Sequence, residues 1–208
     1  LKSENVDGVI IDLREDGGGS LQEAIELTGL FIKDGPVVQV KNSEGNIDIA
    51  KDPDPSIVYD GPLAVLVNRF SASASEIFSG AIQDYGRGLI IGEQTYGKGT
   101  VQNLIDLNRL SSQKNLNLGQ VKLTIAKYYR VNGGSTQNLG VVPDISFPTM
   151  IDPKDFGESS EPSALPWDEI KSADFNRYAD LTKLLPEINK KHLQRISSNK
   201  DFQNLIED

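Results

Sequence analysis

The 208-residue chain has no cysteine and a single histidine, His192. Without thiols there is no disulfide, no thiolate nucleophile and no Cys-held metal, and one imidazole cannot build a multi-histidine metal site. The same scarcity bears on serine chemistry. A Ser-His-Asp arrangement would have to use His192, which sits in the Lys-rich segment KKHLQ, far in sequence from every serine candidate, and reads as a solvated helix position. Long apolar runs are also missing: no stretch nears the ~20 residues that cross a bilayer, and no charged-then-apolar leader opens the chain. Cations are outnumbered, 21 Lys and Arg against 30 Asp and Glu, for a net charge of −9 and no basic stripe. That balance disfavours a nucleic-acid partner, because phosphate contacts need clustered cations. The length suits one substantial core with a small appendage. The opening LKSENVDGVIIDL already runs into a strand, which reads as a piece of something longer whose targeting segment would lie upstream.

What is present alternates between strands and helices. Val6–Leu13 is a near-continuous apolar run, as expected of a strand covered on both faces. The glycine triplet Gly17–Gly19 follows, then Ser20 with Glu23 in capping-box spacing and a helical apolar stripe to Phe31. Val37–Val40 is a short strand, and residues 41–60 read as a polar loop or hairpin. Leu63–Val67 is a second buried strand, and a helix with apolar positions Ile77, Phe78, Ala81, Ile82 and Tyr85 on one face ends at Gly86. Leu89–Ile91 is a third strand, Thr100–Leu107 alternates, and Val121–Tyr129 alternates again as a strand of an α/β sheet. Such alternation implies a largely parallel sheet flanked by helices. Past Pro148, Pro and acidic residues dominate to Asp168, and helical patterning resumes over 176–185 and 186–206. The reading is a core over 1–150 and an appended, mostly helical segment over 151–208.

The chemistry-bearing stretch is Asn68–Gln102, NRFSASASEIFSGAIQDYGRGLIIGEQTYGKGTVQ. A serine at a helix start sits beside backbone N–H groups without intrahelical partners, where an oxyanion can be held. Ser71, Ser73 and Ser75 all qualify, and the residues alone do not choose among them. Lys98 lies between Gly97 and Gly99, so its loop can approach another element closely. Burial would lower its pKa and leave a neutral amine able to accept a serine proton. Two other motifs are weaker. Gly92–Lys98 nearly spells a phosphate-binding loop, but Gly99 stands where the Mg²⁺-binding hydroxyl belongs and the next residues favour a strand. Ser111-Ser112-Gln113-Lys114 matches S-x-x-K within a polar loop. The Gly17–Gly19 triplet suits an anion or a tight strand-to-helix turn equally.

Taken together, IDLREDGGG (11–19), the serine block (68–87), IGEQTYGKGTVQ (91–102), LGVVPDI (139–145) and SALPWDEI (163–170) resemble the S41 family of C-terminal processing peptidases, most closely its tail-specific branch. The resemblance implies a ClpP/crotonase-like α/β core with a mixed, largely parallel sheet. It implies a serine endopeptidase acting on proteins with apolar, unstructured C-termini, without metal or cofactor. By its motifs Ser73 is the nucleophile, Lys98 the general base and Gln102 the residue orienting the lysine. Ala74 and, as best aligned, Gly18 are the oxyanion donors, and Asp84 matches an acidic helix position that is either supporting or structural. The sequence departs from the family at Glu15-Asp16, usually Asn-Asn, so the charge beside the oxyanion loop differs. Further expectations from the family are a PDZ domain of the same full-length chain, a periplasmic location in association with the inner membrane, and a lipoprotein or adaptor partner. A crotonase-like fold used without proteolysis, for acyl or peptide binding, is the rival class.

Overall fold

The computed structural model describes residues 6–110, 117–149, 151–152 and 154–207; the S-x-x-K segment at 111–114 lies outside them. The β/α alternation at the start of the chain produces a parallel sheet of β1 (Val9–Asp12), β4 (Leu63–Val67), β5 (Leu89–Gly92) and β8 (Ile145–Ser146). They run in the order β1-β4-β5-β8. A second, antiparallel sheet has the order β3-β2-β7-β6, from β2 (Pro36–Asn42), β3 (Ile47–Lys51), β6 (Thr100–Asp106) and β7 (Gln120–Tyr129). The fold is therefore mixed α/β. The alternation over Thr100–Leu107 and Val121–Tyr129 does mark strands, but they form this separate sheet with the β2–β3 hairpin instead of extending the parallel one. Period-two patterning specifies a strand and its faces, not which partner it pairs with.

Between the sheets runs α2 (Ala74–Asp84), nine of whose residues are buried. Its apolar stripe serves two layers. Ile77, Ala81 and Tyr85 pack with α1 (Leu21–Gly29), Val37, Val38, Tyr128 and Val131. Phe78 and Ile82 pack on Val65, Val67 and Ile90 of the parallel sheet. A helix held on opposite sides cannot tilt without opening one core or the other, and this fixes the direction of its N-terminus. Ser20 caps α1 as its spacing predicts, accepting from the Glu23 N–H at 3.3 Å.

Two expectations need correction. Val6–Leu13 reads as covered on both faces, yet β1 is an edge strand with Ile10 67% exposed. His192 reads as solvated but is buried, stacked on Phe147 at 5.5 Å and edge-on to Phe202 of α4 (Lys200–Glu207). One apolar turn packed on the end of the core outweighs the charged neighbours, and burial with the nearby Arg195 lowers the imidazole's pKa.

The C-terminal segment begins as a strap, not a helix. Among the described residues between Asp152 and Asp180 the only helical turn is the short one at Glu158–Ser160, and α3 (Leu185–Ile196) starts later than the pattern suggests. Residues 176–180 are held otherwise: the Tyr178 N–H donates to the Tyr85 carbonyl at 2.8 Å, and its ring lies beside Tyr85. Upstream, buried Arg69 donates to the Phe156 carbonyl (2.8 Å) and the Thr95 carbonyl (2.6 Å). Phe156 packs on Phe70 and Tyr96, and Trp167 Nε1 donates to the Ser135 carbonyl at 2.9 Å. The strap is thus bound along the loop that carries Lys98.

Candidate active site

The chain leaves β4 and turns sharply into α2 through Asn68–Ser73. The three serines of that turn divide by their hydroxyls. Ser71 Oγ donates to the Leu13 carbonyl at 2.8 Å and Ser75 Oγ to the Asp16 carbonyl at 3.0 Å, stitching the turn to the glycine loop. The Ser73 hydroxyl donates to no carbonyl among the described residues; its oxygen belongs to a capping box with the Glu76 N–H. Ser73 also has φ 58°, ψ −112°. For a residue with a Cβ this is strained, by about 1–3 kcal/mol, and persists only where the surroundings over-determine it. Here they do, because α2 is clamped between two cores and the flanking serines pin both sides of the turn.

Glu76 supplies the strongest link in the site, and sequence reading missed it. Its carboxylate is fully buried. Oε2 accepts the N–H of Ser73 (2.8 Å) and of Lys98 (3.0 Å), and Oε1 accepts the N–H of Gly97 (2.7 Å) and the Thr95 hydroxyl (2.6 Å). Burial raises the Glu76 pKa to about 7 against the opposing pull of these four donors. The signal was there: with Ser73 as N-cap, S-x-x-E spells a capping box. Its glutamate does the usual cap and reaches the lysine loop as well. Tyr128 makes a second bridge. Its hydroxyl lies against the Lys98 carbonyl and 3.3 Å from the Ser73 carbonyl. The main chains of Ser73 and Lys98 are therefore joined twice, through their N–H groups by Glu76 and through their carbonyls by Tyr128.

The glycines around Lys98 are required by packing. A Cβ on Gly99 would sit 2.8 Å from the Gln137 backbone N and Cβ, and one on Gly97, whose φ is 96°, would sit 2.9 Å from the Asn138 backbone. Gln137 is itself buried and takes the Gly99 N–H at 2.9 Å. Lys98 leads into β6, a strand where a phosphate-binding loop would open a helix. Its side chain is half-buried and its pKa lowered, mainly by burial and further by Lys122. The register between β6 and β7 shifts at Val101/Gln102, where β7 carries the extra residue Ile125, and Gln102 follows Lys98 and Thr100 at alternate positions. Gln102 thus lines the cleft with Lys98. Its Oε1 is buried without a partner, and its Nε2 reaches Thr124 Oγ1 only at 3.4 Å.

Ser73, Ala74, Lys98, Gln102 and Gly17–Gly19 share one cavity of about 580 Å³, with Ile77 and Leu104 among its apolar walls. Among the described residues no hydrogen bond joins Ser73 Oγ to Lys98 Nζ. Contacts of this kind are commonly long before substrate binds and tighten in the complex. Gly18 comes closer to the turn than any other residue type could. A Cβ there would lie 2.4 Å from the Ala72 carbonyl oxygen and 2.7 Å from the Ala74 nitrogen, and its φ is 87°. Its own N–H, however, donates to Asp16 Oδ1 at 2.9 Å. The Gly17, Gly19 and Ala74 amides have no partner among the described residues. Gly18→Ala is expected to displace the loop or the turn and lower activity by about 100-fold, while Gly45→Ala, at a distant turn, should leave kcat/KM within about twofold; steady-state kinetics on both variants checks this.

Asp84 stands apart. At the far end of α2, about 15 Å from the Ser73 turn by helix rise, it pairs with Arg130 at 2.6 and 3.1 Å and accepts from Asn132 at 2.8 Å. It anchors the loop after β7 and borders neither the cavity nor the lysine.

The fold is thus an α/β protein in which a clamped α2, with a strained serine at its head, shares one cleft with a half-buried lysine. The chain belongs to peptidase family S41: that family's model matches residues 1–147, and the C-terminal domain of tail-specific protease matches 151–208. It is 48% identical over its whole length to the tail-specific protease of Haemophilus influenzae, spanning 30% of that protein. It is 36% identical over 74% of its length to the chloroplastic C-terminal processing peptidase of Tetradesmus obliquus, spanning 32% of it. Among solved structures it resembles the photosystem II D1 C-terminal processing protease, with a TM-score of 0.59, 34% identity, and coverage of 74% of this chain and 36% of that one. Mature CPAF shares the fold at 17% identity, with a TM-score of 0.56 over 95% of this chain and 46% of that one.

Proposed function

We propose that the protein is a serine endopeptidase with a Ser73–Lys98 dyad. The observation that carries this reading is the division of the three serines: two hydroxyls donate to main-chain carbonyls, and the third, which donates to none, lines one cleft with a half-buried lysine. Lys98, as the neutral amine, takes the Ser73 proton while Oγ attacks the scissile carbonyl. The Ala74 amide at the head of α2 and the Gly17–Gly19 loop face the developing oxyanion. Lys98 then returns the proton to the leaving nitrogen, the C–N bond breaks, and water repeats the cycle on the acyl-enzyme. Gln102 Oε1 offers the buried acceptor that a lysine N–H would satisfy, which orients the amine. In the free site the Gly18 N–H is committed to Asp16, so the loop donates through Gly19 or after Asp16 turns away.

The apolar walls at Ile77 and Leu104 suit small and aliphatic side chains on the acyl side, in keeping with substrates that carry apolar, unstructured C-termini. In this reading such tails are delivered by a PDZ domain of the same full-length chain, in the periplasm near the inner membrane, with a lipoprotein or adaptor partner. The test compares one folded reporter carrying either an apolar or an Asp-terminated unstructured tail. The apolar tail should be cleaved with a kcat/KM larger by about tenfold or more; equal rates would refute tail selection.

A further inference from the structure

Lys98 borders a second cavity, of about 410 Å³, which it shares with Thr100 and Gln102 but not with Ser73 or the Gly17–Gly19 loop. One wall is the lysine loop and the start of β6. The other is the strap, through Glu158, Glu161 and Leu165. That wall is built, not draped. The Glu158 N–H donates to the Tyr96 carbonyl at 3.1 Å, and Gln137 Nε2 donates to Glu158 Oε1 and to the Leu165 carbonyl, both at 3.1 Å. Gln137 simultaneously holds the Gly99 N–H, so the strap and the lysine loop share one buried amide.

The chemistry of acyl transfer assigns the two cavities. The oxyanion and the acyl half of the substrate lie with the serine and the glycine loop, in the first cavity. The base that removes the serine proton must deliver it to the leaving nitrogen, so the leaving half passes beyond that base. Beyond Lys98 lies the second cavity. Its charged walls, apart from Lys98, are two carboxylates, whereas the first cavity carries Lys122. Resting on the dyad reading, we propose that the strap-walled cavity is the subsite for the leaving half of the substrate, and that Glu158 and Glu161 select basic side chains there and disfavour acidic ones. The C-terminal segment would then set specificity in addition to bracing the lysine loop.

The test uses peptides with a constant acyl half and Lys, Ala or Glu at the first three positions after the scissile bond. Their kcat/KM with the wild-type protein, and their affinity for Ser73→Ala by fluorescence anisotropy, should follow Lys over Ala over Glu. The Lys-to-Glu ratio should be about fivefold, as for a partly solvated ion pair. Glu161→Lys, at an exposed position, should invert that order, and Glu158→Gln, which can keep the Gln137 contact, should bring the ratio towards one. A flat affinity series, or a ratio untouched by both variants, overturns the subsite. Cleavage persisting in Ser73→Ala overturns the dyad instead, and the affinity series still reports on the subsite.

Discussion

Ser73→Ala and Lys98→Ala are each expected to lower kcat/KM by about 10⁴-fold or more, and the double variant by little more than either single one. Members of one catalytic unit fail together, since a proton acceptor without its nucleophile does nothing. Lys98→Arg sharpens the result. It keeps the positive charge and most of the bulk, yet a guanidinium stays protonated at every usable pH and cannot accept the serine proton. It should be as inactive as Lys98→Ala, whereas a purely structural or charge-pairing lysine would be rescued. The lowered pKa of Lys98 sets the pH dependence: the neutral amine grows in as pH rises through that value, so the alkaline-rising limb of kcat/KM should lie below the ordinary lysine range. Stopped or initial-rate assays across pH on the wild type and the three variants measure all of this.

Glu76→Gln carries the second large effect. Four donors converge on the two carboxylate oxygens, and no acceptor faces them. An amide offers one oxygen and turns an NH₂ toward two of those donors, leaving buried N–H groups unpaired at about 1–3 kcal/mol each. We expect a loss of about 2–4 kcal/mol in unfolding free energy below about pH 4.5, shrinking towards pH 8 as the wild type loses the Glu76 contribution, and a fall of about 100-fold in kcat/KM. The serine turn and the lysine loop lose the tie that sets their separation, and near-attack geometry tolerates little displacement. The pH signature separates this from generic damage. The folded state holds the Glu76 proton more tightly than the unfolded state does, because its pKa is raised to about 7 from 4.5. This group's contribution to stability is therefore present at low pH and is lost as pH rises from about 4.5 through about 7. Denaturant titrations at several pH values should show that slope in the wild type and not in Glu76→Gln.

The parts of the molecule that sequence reveals are those whose partners are local. β4, β5 and the α2 stripe were legible because two-sided burial writes apolar runs and helical spacing directly into the chain. The glycines around Lys98 were legible for a similar reason, a close approach that only glycine allows. What stayed hidden depends on long-range pairing. Alternation marked Thr100–Leu107 and Val121–Tyr129 as strands, but their partnership with the β2–β3 hairpin is a matter of register across the fold. Glu76 stays hidden because three of its four contacts lie on a loop some twenty residues downstream. The strap reads only as the Pro- and acid-rich start of an appended, mostly helical segment because much of its fixing runs through backbone groups, received by Arg69, Tyr96 and Gln137. Residue pattern left three serines open, and family resemblance pointed to Ser73. The structure adds the physical difference between them in the partners of Ser71 and Ser75.

Mapping the adduct of a fluorophosphonate by mass spectrometry tests the central claim most directly, because it reads the nucleophile and the base together. The account predicts a single adduct on the peptide containing Ser73, absent in Ser73→Ala, and formed at least about 100-fold more slowly in Lys98→Ala at pH 8. An adduct on another residue, or labelling of Ser73 at an unchanged rate without Lys98, would contradict it.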